Sequence, residues 1–193
     1  MKAICAALCI GIISSQAAFA GHYTARGDYI STSKERIGDV GDIMQFVVPL
    51  SAAVYSMAIG DWQGLKQLGY STGSTLGATY LLKFTTLEER PSQPEGSKGH
   101  TFPSGHTAMA AAGAVYWQRR YGWLAGIPAY AAMGFVGYSR VVTKNHNWLD
   151  VGAGAALGIG ANMIFTSRYN NEQTNITLSP TDGGAYLSFS TKF

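Results

Sequence analysis

The chain has 193 residues, of which 13% are charged and 47% hydrophobic, with 24 glycines and a net charge of +3. That length holds one domain with a real core, and the charge content lies well below the roughly one quarter of an ordinary soluble domain. The mild positive bias, with no dense Lys/Arg cluster and no nucleic-acid motif, sets nucleic acid aside and leaves smaller anions as partners.

In chain order, Met1 and Lys2 make a positive start, 3–13 an apolar stretch and Ala18-Phe19-Ala20 a small-x-small cleavage site. Residues 1–20 therefore read as a signal peptide, with an uncleaved anchor helix as the alternative. Cys5 and Cys9 both lie inside it. The exported chain then carries no disulfide, no Cys-ligated zinc and no thiol nucleophile. Residues 21–42 are polar and read as a lead segment. A helical domain follows over 43–169, with apolar segments at 43–60, 68–84, 104–117, 121–138 and 149–166. Gln118-Arg119-Arg120 separates the third from the fourth. The pattern predicts an all-α bundle of five core helices. In the tail, 170–193, residues alternate on either side of Pro180-Thr181-Asp182-Gly183-Gly184, the mark of a short β-hairpin.

Segments of this length fit either a membrane span or a buried helix of a soluble bundle. Three features favour the membrane. Trp62, Trp117, Trp123 and Trp148 fall at segment ends, as an interfacial belt would place them. Gly73/Gly77 and Gly154/Gly158 repeat at four-residue spacing, which allows helices to approach closely. Lys66, Arg119, Arg120 and Arg168 fall on one side of an alternating bundle, which the positive-inside rule makes cytoplasmic.

Ionisable residues are scarce, yet they gather at the opposite side in three clusters: Lys83-x6-Arg90-Pro91, Pro103-Ser104-Gly105-His106, and Ser139-Arg140-x5-His146-x3-Asp150. Lys83, Arg90 and Arg140 suit a tetrahedral dianion such as phosphate. Ser104 and Gly105 precede a helix, so backbone N–H groups can add donors, and glycine admits close approach. Four-residue spacing puts His146 and Asp150 on one helix face, where the carboxylate can orient the imidazole for attack on phosphorus. His106 is placed to protonate the leaving oxygen and then to activate water. Taken singly, such clusters are more often a snorkelling cation, a turn or a surface hydrogen bond; jointly, in this order and on one face, they point to a site. His100, His106 and His146 match no zinc spacing, and the nearby cations repel a metal, so no metal and no cofactor is expected.

Together the three clusters resemble the signature of the type 2 phosphatidic acid phosphatase superfamily, which includes bacterial acid phosphatases and vanadium haloperoxidases. The likeness fills every signature position from Lys83 to Asp150, and the helical layout extends it over 41–165. Residues 41–66 are also similar, more softly, to small bacterial lipid A phosphatases. The resemblance implies His146 as nucleophile, Asp150 as its orienting partner and His106 as general acid. It implies Lys83, Arg90, Ser104, Gly105 and Arg140 as a phosphate-binding shell. The expected activity is hydrolysis of a phosphorylated membrane lipid: lipid A, undecaprenyl diphosphate, phosphatidylglycerophosphate or phosphatidate. The expected location is a bacterial inner membrane with the site facing the periplasm. A soluble periplasmic acid phosphatase, a vanadate-dependent haloperoxidase and a non-enzymatic binding protein are the competing readings.

Overall fold

The structure, a computed structural model, describes residues 22–23, 29–30, 32–86, 101–169, 174–181 and 184–191. The signal peptide expected over 1–20 lies outside the described residues. Five helices form an all-α bundle: α1 (Thr32–Ala58), α2 (Trp62–Thr86), α3 (Gly105–Tyr121), α4 (Trp123–Val142) and α5 (Trp148–Phe165). Ahead of them, β1 (His22–Tyr23) pairs with β2 (Tyr29–Ile30). In the tail, β3 (Thr174–Thr181) pairs antiparallel with β4 (Gly184–Thr191), Leu178 opposite Leu187, which is the hairpin the alternation predicts.

α1 starts about three turns before the apolar run that marks it, so 32–42 belong to the bundle and not to a lead segment. The buried stripe of α1 runs Gly38, Gly41, Val48, Ala52, Ser56. Its first two members are glycines, which carry no hydropathy signal.

α3 sits in the middle and packs on all four other helices. Ala108, Ala110, Ala111, Ala112 and Ala114 have no exposed surface, so α3 is a thin rod that its neighbours approach closely. At Gly158 a side chain would come within 2.7 Å of the Ala112 backbone nitrogen, so α5 depends on that glycine for its seat on α3. Gly73 and Gly77 differ, because among the described residues a side chain at either would meet nothing within 4 Å. Buried Asn162 locks the α3–α5 contact, donating to the carbonyls of Ala112 at 3.0 Å and Gly158 at 2.9 Å.

Many large apolar side chains point outward, although Val48, Leu68, Val115, Tyr116 and Val136 are buried. Leu124 is 93% exposed, Ile164 77% and Phe84 68%, while the interior holds Ser56, Ser71, Thr75 and Thr79. That is the reverse of a water-facing fold. α1 and α5 are each long and apolar enough to cross a membrane. Trp62, Trp123 and Trp148 stand exposed at helix starts. Trp117 does not join this belt: it packs against Tyr55 and Tyr121 and donates to the Ser51 hydroxyl at 3.2 Å.

Arg120 is likewise no free interfacial charge. It is buried in a two-pronged ion pair with Asp61, Nε to Oδ2 at 2.7 Å and Nη2 to Oδ1 at 2.6 Å. Its third nitrogen donates to the carbonyls of Ser167 and Arg168. Asp61 also caps α2 by accepting the Gly64 N–H at 2.8 Å. Burial alone would raise the Asp61 pKa, but donors from Arg120, Gly64 and Tyr121 outweigh it and hold the carboxyl below its usual range. A depressed carboxylate contributes stability that is complete above its unfolded pKa and is lost as pH falls through the folded one. Asp61→Asn is expected to lower stability by about 3 kcal/mol by stranding Arg120, read as a thermal midpoint roughly 10 °C lower. The gap between variant and parent is expected to narrow when melts are repeated in acid, and an unchanged midpoint at neutral pH would show the pair to be dispensable.

Candidate active site

Most groups of the site follow from how a helix starts or ends. In α2 the buried positions Ser71, Thr75 and Thr79 recur every fourth residue, with each hydroxyl satisfied by a carbonyl on its own helix. The next position on that stripe is Lys83, which therefore points inward at the end of α2. Its Nζ donates to the carbonyl of Thr101 at 3.3 Å, on the segment that leads into α3.

Ser104 caps α3, accepting from the Thr107 N–H at 3.4 Å and the Thr107 hydroxyl at 3.1 Å. Its own N–H donates to the carbonyl of Asp150 at 2.9 Å. Gly105 and His106 then open the helix, where no intrahelical carbonyl reaches the first N–H groups.

At the end of α4, Thr143 and Lys144 turn the chain back, Lys144 with φ 56°. The carbonyl of Arg140 then accepts the N–H groups of both Asn145, at 3.0 Å, and His146, at 3.2 Å. This is the physical content of the five-residue spacing: it is the length of chain that brings the imidazole back beside the guanidinium. Arg140 is only 3% exposed, and its Nη2 donates to the carbonyl of Gly38 at 2.5 Å.

Asn147 caps α5 in a reciprocal box. Its side chain accepts the Asp150 N–H at 2.9 Å, and Asp150 Oδ2 accepts the Asn147 N–H at 2.9 Å. His146 thus precedes the cap and is not on the helix, so the expectation of a shared helical face is corrected: the cap brings the pair together. Nδ1 of His146 lies 3.4 Å from Oδ2 of the fully buried Asp150.

Lys83, Gly105, His106, Arg140 and His146 line one cavity of about 780 Å³. Asp150 stands behind His146. Ser104 does not line the cavity; it is fully buried, and its N–H is committed to Asp150, so its expected place as a phosphate donor through that group is not met. Arg90 lies outside the described residues. Asp42 was assigned no role from sequence, yet its Oδ1 accepts from Arg140 Nη1 at 2.5 Å and lies 2.9 Å from His106 Nε2. In sequence it is the last acid, after Glu35 and Asp39, before the apolar run that begins at Ile43. Asn145 also lines the cavity. Phe46, Leu76, Tyr80 and Met109 add an apolar part to its lining.

The sequence profile of the PAP2 superfamily matches residues 64–173. The chain belongs to that superfamily. Its relatives include the lipid A 4'-phosphatase of Helicobacter pylori, 32% identical over 157 residues, which cover 76% of this chain and 78% of that one. A lipid A 1-phosphatase of Porphyromonas gingivalis is 39% identical over 71 residues, which span 35% of this chain and 16% of that protein. The crystal structure of Aquifex aeolicus LpxE shares the fold, with a TM-score of 0.59 at 20% identity over 68% of this chain and 84% of that one. This PAP2 protein is a phosphatase.

At Gly105 a side chain would meet only Lys83 and Thr79, each at an ordinary 3.8 Å, so packing does not require glycine there. Gly105→Ala is expected to leave the thermal midpoint unchanged while lowering phosphate release at least about tenfold, because the methyl group projects into the space a ligand would use. Full activity would show that nothing binds against that backbone.

Proposed function

We propose that this PAP2 phosphatase removes phosphate from a membrane lipid through a phosphohistidine formed on His146. One observation carries the lipid part. The apolar flank of the charged cavity runs on into an apolar groove of about 300 Å³ between α1 and α2, and Phe46 and Met109 line both. α1 and α2 touch each other sparingly along this side. A charged pocket for a headgroup beside an apolar slot for a chain suits an amphiphile, and the outward-facing apolar residues suit a protein that spans the bilayer. The names of its relatives favour lipid A as the substrate, ahead of undecaprenyl diphosphate, phosphatidylglycerophosphate or phosphatidate.

In the reaction, Asp150 holds Nδ1 of His146, and the imidazole presents Nε2 to phosphorus. The N–P bond forms as the P–O ester bond breaks, and His106 gives its proton to the departing lipid oxygen. Water then attacks phosphorus, loses a proton to His106 and breaks the N–P bond, releasing orthophosphate and restoring both histidines. Lys83 and Arg140, joined by Arg90, offset the charge on the equatorial oxygens, the role a metal ion fills in other phosphoryl transfers. Exposed Lys66 and Arg168 at the far end of the bundle favour an inner-membrane orientation with the site on the periplasmic face.

His146→Ala is expected to cut phosphate release by about 10⁴-fold or more while leaving the melt unchanged. In rapidly quenched turnover, the wild-type chain is expected to retain a phosphoryl label that the variant lacks; label retained by the variant would move the nucleophile elsewhere. For the groove, Gly69→Leu is the informative change, since a side chain at Gly69 meets nothing within 4 Å and enters the slot. The KM for a long-chain lipid phosphate is expected to rise about tenfold, with hydrolysis of a short soluble ester unaffected. Equal effects on both substrates would refute the chain slot.

A further inference from the structure

Asp42 places a single carboxylate oxygen where an anionic ligand oxygen would sit. That oxygen accepts from Arg140 Nη1 at 2.5 Å and lies 2.9 Å from His106 Nε2. These are two of the groups that the proposed chemistry asks to hold and protonate a phosphoryl ester. Arg140 does not need Asp42 to keep its place, because its guanidinium also donates to the Gly38 carbonyl and to the Ser139 hydroxyl. The Asp42 side chain is half exposed at the cavity, whereas Arg140 beneath it is buried. The fixed partner is therefore the cation, and the displaceable partner is the carboxylate. Groups from every side face this point: Asp42 from α1, Lys83 from α2, His106 from α3, Arg140 from α4, and His146 from the turn before α5.

We propose that Asp42 is a specificity-determining residue: a resident carboxylate that occupies the anion position between Arg140 and His106 and discriminates against orthophosphate and small soluble phosphate esters. The inference rests on the phosphoryl-site reading above. Any phosphate entering must displace this carboxylate and then tolerate it nearby. A free phosphate ion brings only charge to that exchange, so it competes poorly with an anion already in place. A lipid ester also brings an apolar chain to the groove between α1 and α2, and burying that chain offsets the displacement. The enzyme thereby resists its own product and disfavours soluble esters relative to lipid ones. Displacing Asp42 also frees Nε2 of His106 to deliver its proton, so the acid is released only when a ligand has taken the anion position.

The test compares wild type with Asp42→Asn, which keeps the shape and an oxygen acceptor for Arg140 but removes the charge, and with Asp42→Ala. Inhibition by orthophosphate is measured against a lipid phosphate, and kcat/KM is compared for the lipid and for p-nitrophenyl phosphate. Both variants are expected to bind orthophosphate about tenfold more tightly and to shift preference towards the soluble ester by a similar factor. The thermal shift induced by orthophosphate provides a readout that does not depend on turnover, and it is expected to grow in the variants. Unchanged or weaker orthophosphate binding, with both substrates losing activity equally, would reduce Asp42 to a positioning partner and overturn the proposal. If orthophosphate competes with substrate in neither wild type nor variants, the phosphoryl-site reading itself fails. If it competes equally in all three proteins, only the assignment of Asp42 fails.

Discussion

The backbone hydrogen bond from the Ser104 N–H to the Asp150 carbonyl, 2.9 Å long, joins the start of α3 to the start of α5. It exists only because α3 and α5 approach closely, and that approach needs Gly154, Gly158 and the alanines of α3. Once it forms, the two helix starts are held in register. Gly105 and His106 then face the same space as His146, and the cap that positions Asp150 is braced from the other side. Ser104 is therefore a structural keystone before it is anything else.

The two ends of the bundle show opposite ways of handling charge. At one end Asp61 and Arg120 are buried and fully satisfied by each other, by the α2 cap and by the carbonyls of Ser167 and Arg168. Nothing is left over for a ligand, and the pair ties α2, α3 and the chain after α5 together. At the other end Lys83, Arg140, His106 and His146 face an open cavity. Two cations, Lys83 and Arg140, meet one half-exposed acid there, Asp42, so the cavity has charge to spare for an anion. A buried ion pair that is complete is architecture; a cluster whose charges do not balance asks for a ligand.

Much of the site was legible in the sequence because its spacing records the way helices end. The five residues between Arg140 and His146 are a turn whose N–H groups return to one carbonyl, and the three between His146 and Asp150 are a cap. The bundle itself was legible from its apolar segments. What escaped was whatever apolar pattern cannot encode. The first turns of α1 were missed because their buried positions are glycines, and Asp42 was missed with them. Gly73 and Gly77 carry the small-residue spacing of an interface yet meet no neighbour among the described residues, since spacing does not say which face a neighbour takes. Arg120 looked like a loop charge because its partner, Asp61, is distant in sequence and only the fold brings them together.

The placement of the apolar groove bears on how a substrate would lie. Apart from Asp42 on α1, the charged groups stand at helix ends, while the groove lies between α1 and α2 beside the same cavity, with Phe46 and Met109 lining both. A ligand that fills both must bend from the bundle end into its side, with its headgroup at Arg140 and its chain against outward-facing apolar surface. A lipid resting in one leaflet already has that shape, with its polar group at the interface and its chains alongside the helices. It would enter sideways, between helices that touch sparingly, and not through the end of the bundle. The proposed substrate thus suits the sparse α1–α2 contact, while the close packing around α3 fixes the helix starts that carry the charges.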